Sequence, residues 1–96
     1  MEEENFFYYL KFNGFRLEQE GGHIFADYGL ERGDSKELPL TAAIDPVNHL
    51  AQFTVSSRKL LQEQCPAHFQ KMLENSFADP DNPVFVHALH WRDQRD

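Results

Sequence analysis

Cysteine is all but missing from this 96-residue sequence, and positive charge is scarce. The single thiol, Cys65, excludes an intramolecular disulfide and suits a reducing compartment. Nine Lys and Arg stand against sixteen Asp and Glu, a net charge of −7. A field of that sign repels phosphate backbones and anionic lipid, which argues against direct nucleic-acid binding. No apolar run approaches the ~18 residues of a membrane span, so no membrane association is expected. The opening Met1-Glu2-Glu3-Glu4 is acidic where a secretory leader would be basic. Together these features predict a cytoplasmic protein, of a cell or of an infected host.

Catalytic and metal-binding patterns are equally short of material. Gly21-Gly22 has no Lys-Ser or Lys-Thr behind it, so it is no phosphate loop. Ser56-Ser57 lacks the glycines of a nucleophile elbow. Cys65 and His68 share a helical spacing, but zinc needs three or four ligands and no second pair completes the set. Both are read as packing residues. Asp79-Pro80-Asp81-Asn82 lacks the later Gly and Glu of a calcium loop and reads as tight-turn chemistry. No metal and no cofactor is expected.

What the chain does have is turn chemistry and aromatics. At 96 residues, with 41% hydrophobic and 26% charged residues, it is one globular domain spanning 1–96. Asn13-Gly14 and Gly21-Gly22 suit two-residue hairpin loops and divide the opening into runs Asn5–Phe12, Phe15–Glu20 and His23–Glu31. Phe6, Tyr8, Leu10 and Phe12 fall on one face of a first strand, with Phe7, Tyr9 and Lys11 on the other. His23–Tyr28, Leu38–Ile44 and Leu50–Val55 read as further strands, the last two joined by a turn at Asp45-Pro46-Val47-Asn48. After a cap at Ser56 or Ser57, a helix over about Ser57–Phe77 carries a stripe of Leu61, Cys65, His68, Phe69, Met72 and Leu73. Pro66 predicts a kink there, or two short helices. Asp79–Pro83 is a loop, Val84–Trp91 a final strand, and Arg92–Asp96 a polar tail.

The expected fold is therefore α+β, an antiparallel sheet of four to six strands packed against one main helix. Leu40, Ile44, Phe53, Val55, Leu61, Phe69, Met72, Phe85 and Leu89 are the expected core. With Asn5–Phe12 as a helix instead, the order helix, strands, helix, strand on a small acidic chain is similar to type III secretion chaperones. That resemblance implies a dimeric chaperone. It is one of outline and composition, with no motif residue to carry over.

Function is then read from surface chemistry. Residues 1–48 hold ten acids and four bases, whereas 49–96 hold six and five. An acidic, non-enzymatic module that occupies a basic surface of a partner protein, as inhibitor or adaptor, fits this asymmetry. Its expected contacts are Glu18, Glu20, Asp27, Glu31, Asp34 and Glu37, beside the aromatic Tyr28. A rival reading is a small hydrolase or isomerase using His23, His87 or His90 with a carboxylate. Self-association as a two-fold homodimer is expected through Asn5–Phe12 or Val84–Trp91.

Overall fold

The computed structural model describes residues 8–17, 23–32 and 37–94. Strands β1 (Tyr8–Leu17), β2 (Ile24–Arg32), β3 (Glu37–Asp45) and β4 (Leu50–Phe53) come first. Helices α1 (Val55–Gln64), α2 (Ala67–Ala78) and α3 (Pro83–Gln94) follow. The strands form one antiparallel sheet in the order β1-β2-β3-β4, and the helices pack against it. This is an α+β fold. Its order is not that of the secretion chaperones, since residues 8–17 are strand and the last described element is a helix.

Strand alternation makes the core. Ile24, Ala26, Tyr28 and Leu30 of β2 lie on the same face as Leu40, Ala42 and Ile44 of β3 and Phe53 of β4, and all are buried. Against them pack Leu61 of α1, then Phe69, Leu73 and Phe77 of α2 at helical intervals, then Val84, Phe85 and Ala88 of α3. Phe77 and Phe53 bring ring centroids to 4.7 Å. Each such side chain contributes roughly 1.5–3 kcal/mol when fully buried.

The join of sheet to helix is a small polar device. Thr54, expected inside a strand Leu50–Val55, is the N-cap of α1 in place of Ser56 or Ser57, its hydroxyl accepting the Ser57 amide. Its own N–H still pairs with Thr41 O at 2.9 Å. Ser57 is buried, and its Oγ accepts the Thr41 N–H at 2.7 Å, taking the place of a strand partner.

Pro66 divides the expected long helix into α1 and α2. Cys65, the residue before proline, is extended at φ −124° and ψ 148°. Gln70 Nε2 donates to the Cys65 carbonyl at 2.8 Å across the corner.

Several expectations are corrected. Asn13-Gly14 makes no hairpin: β1 runs through it, with Phe12 opposite Tyr28 and Gly14 opposite Asp27, leaving Asn13 as the extra residue of a bulge. Gly14 sits at φ 137°, a conformation that costs glycine little. The bulge resets the alternation, so Phe12 and Phe15 both lie on the inner face, 4.8 Å apart in an edge-on pair. Gly21-Gly22 and the residues Met1–Phe7 lie outside the described residues.

Val84–Trp91 is helix, not strand. Asn82 Oδ1 accepts the Val84 N–H at 2.9 Å, and Pro83 occupies the first helical position, where its missing N–H costs nothing. Val55 and Met72 are 73% and 55% exposed and so leave the core, and Leu89 is only half-buried. Val55 opens α1 and points away from the sheet. Met72 lies off the Phe69–Leu73–Phe77 stripe.

Candidate binding face

Among the described residues no helix packs on the second face of the sheet. Alternation places Tyr9, Lys11 and Arg16 of β1 there, with Phe25, Asp27, Gly29 and Glu31 of β2 and Glu37, Pro39 and Thr41 of β3. Three of the acids expected to make contacts, Asp27, Glu31 and Glu37, thus share one surface. Glu18, Glu20 and Asp34 lie outside the described residues. Tyr28 is not beside its neighbour Asp27 in this sense. Adjacent strand residues point to opposite faces, and Tyr28 is buried among Phe12, Phe53 and Phe77. Burial pushes its phenol up to about 12. The exposed aromatic on the acidic face is Tyr9, at 62%.

The acids differ in their commitments. Asp27 is held by Arg16, whose Nε lies 2.9 Å from Oδ2 and 3.1 Å from Oδ1, and it also accepts the Thr41 hydroxyl at 3.2 Å. The Arg16 guanidinium also lies 5.1 Å over the Phe25 ring. Glu31 and Glu37 stand directly opposite each other in the register, and Tyr9 stands opposite Glu31 on the other side. Like charges placed so are unfavourable by a few tenths to about 1 kcal/mol. The Glu37 side chain lies over Gly29, where a methyl group would overlap its carboxylate. Beside it is a shallow depression of about 340 Å³, lined in part by Asn13, Asp27, Glu37 and Thr41.

A larger cleft, about 750 Å³, opens where the β3–β4 turn meets α2 and α3. It gathers His23, Asp45, His49 and Arg92 around apolar walls that include Ile44, Pro46 and Phe77. Asp45 is spent on the turn. Asn48 Nδ2 donates to it at 2.9 Å, and the Asn48 and Val47 amides donate at 3.2 Å. The Asn48 side chain and backbone, with smaller help from Val47 and His23, hold its carboxyl below the usual range.

His49 has the left-handed φ of 56°, and its ring stacks on Phe85 at 5.0 Å. Its Nδ1 lies 2.9 Å from the Pro80 carbonyl oxygen and donates to it, clasping the turn to the α2–α3 loop. Among the described residues no hydrogen bond joins a histidine to a carboxylate, and none of their His, Cys, Asp and Glu side chains gather as a metal cluster. His87 and His90, placed on opposite faces by the strand reading, are exposed one helical turn apart on α3, and His90 Nε2 contacts Gln94 at 3.0 Å. Cys65 is buried while His68 is exposed, so only the first packs as expected.

The alternation of β1 could have revealed Tyr9, Lys11 and Arg16 as one face had the bulge been placed. The role of His49 had no signal, because it depends on a contact with Pro80 thirty-one residues away. No helix among the described residues is long and apolar enough to cross a membrane. No protein family's profile matches the sequence, and no curated protein or solved structure matches it.

Proposed function

We propose that this chain is a non-enzymatic protein-binding module, an inhibitor or adaptor whose uncovered sheet face engages a basic surface of another protein. The observation that carries the reading is the facing pair Glu31 and Glu37 on a sheet face that no described helix covers, beside exposed Tyr9. Two acids at facing register positions are a like-charge pair, and a Lys or Arg from a partner relieves that unfavourable pairing on binding. Tyr9 supplies a rigid amphipathic anchor next to them. The net charge of −7 speeds encounter with a cationic surface.

A photo-crosslinking residue at Tyr9 tests this. It should capture a basic protein from the source cytoplasm, and E31K/E37K should abolish capture and flatten the salt dependence of association. Capture that survives both charge reversal and high salt would overturn the electrostatic part. The hydrolase or isomerase reading is favoured by one observation, the cleft that holds His23 near Asp45. Asp45 is committed to three turn hydrogen bonds, which leaves it poorly placed for proton transfer.

A further inference from the structure

Asn13-Gly14 makes no hairpin, but the same two residues carry a covalent chemistry of their own. An asparagine side-chain amide is attacked by the backbone nitrogen of the next residue, and glycine there leaves that nitrogen least shielded. Regular strands resist the reaction, because closing the ring turns a peptide that ladder hydrogen bonds hold in place. The bulge lifts that restraint. Phe12 pairs with Tyr28 and Gly14 with Asp27, so Asn13 has no partner in the register. β1 ends the strand order, Asn13 is exposed, and a Cβ built on Gly14 would meet nothing within 4 Å.

The three other asparagines among the described residues are each protected. Asn48 precedes a side-chain-bearing His49, and its Nδ2 is held by Asp45 at 2.9 Å. Asn75 lies inside α2, where the helical ladder holds the amide that follows it. Asn82 precedes Pro83, which has no N–H to attack with.

We propose that Asn13 is a site of spontaneous modification, at which the Gly14 nitrogen displaces ammonia from the Asn13 side chain. The bond from Gly14 N to Asn13 Cγ forms as the Cγ–Nδ2 bond breaks, and the Gly14 amide proton leaves with the ammonia. Water then opens the cyclic imide at either carbonyl. One opening gives aspartate; the other gives isoaspartate, whose main chain is one carbon longer. Water is the only co-reactant. Either product adds a negative charge to the −7 of the chain. The new carboxylate arises in the depression lined in part by Asp27, Glu37 and Thr41. Isoaspartate also lengthens β1 at the point where the ladder already absorbs an extra residue. The modification itself is independent of partner binding. Its consequence there rests on the proposed function: a further acid on this face strengthens attraction to a basic surface.

Ageing of the purified full-length chain at mildly alkaline pH, followed by tryptic mass mapping, tests the site. Trypsin separates Phe12–Arg16, which holds Asn13, from Glu37–Arg58 with Asn48 and Met72–Arg92 with Asn75 and Asn82. The first peptide should gain the mass of an amide-to-acid exchange and elute as an aspartate and isoaspartate pair, with ammonia released in step. Asn13 in the folded chain should convert within about tenfold of its rate in the urea-unfolded chain, because an edge bulge opens locally at little cost. N13Q should lose most of the ammonia release with its circular dichroism unchanged. Asn13 that stays intact in the folded chain but converts in urea would overturn the proposal, since strand pairing would then protect it. So would conversion of Asn48 or Asn75 as fast as Asn13 in the folded chain. N13D that leaves capture at Tyr9 no stronger would count against the binding face alone, with the modification read separately by mass.

Discussion

The two faces of β2 are written in alternate letters of one nine-residue strand. Ile24, Ala26, Tyr28 and Leu30 are 0–8% exposed, whereas Phe25, Asp27 and Glu31 between them are half-buried. The covered face follows apolar burial and tolerates little change. The other face meets no described helix, and its contacts are the polar and ring contacts of Arg16, Phe25, Asp27 and Thr41, which is where the proposed recognition falls. Substitutions on the first should therefore be read in stability, and those on the second in binding.

Phe85 offers the hardest test of this division. It is 1% exposed and lies under His49, so F85A should cost about 3–5 kcal/mol in a denaturant titration and loosen the β3–β4 turn. A loss below about 1 kcal/mol would show that the covered face is not the source of stability.

Tyr28 comes next. Its folded pKa, about 12, lies above the ordinary 10, so folding favours the neutral phenol. That contribution is complete below pH 10 and is lost as pH rises through 12, on the order of 2 kcal/mol. The urea midpoint should fall across this alkaline window, and Y28F should remove that part of the fall.

N82A removes the cap of α3 and should cost about 1 kcal/mol, read as a lower melting temperature. The smallest effect has the opposite sign. E31K relieves the repulsion with Glu37 and should stabilise the fold by a few tenths to about 1 kcal/mol, while weakening association with a basic partner. A variant that gains stability and keeps its binding would dissolve the contrast between the faces.

The sheet was largely legible because β2 and β3 alternate cleanly from Ile24 to Leu30 and from Leu38 to Ile44. Two features misled. Asn13-Gly14 has hairpin chemistry, but a G-containing bulge uses the same residues, and only the partner strand distinguishes them. Val84-Phe85-Val86 has strand composition, yet Asn82-Pro83 ahead of it is a helix start, and that local signal outweighs the β-branched residues. Asp27, Glu31 and Glu37 were nameable as acids from charge alone. Their gathering on one face required the register, and the exclusion of Tyr28 required its parity.

The Ser57 hydroxyl that receives the Thr41 amide ties the last helix-bearing half of the chain to the strand-bearing half at one backbone proton. That proton exchanges with solvent slowly only while α1 is seated. Thr41 is thus a reporter of cooperativity: if sheet and helices open as one unit, its exchange matches that of buried β2 amides. If the helices detach first, Thr41 exchanges early, and S57A, which strips the acceptor from a buried donor, should separate the two events further.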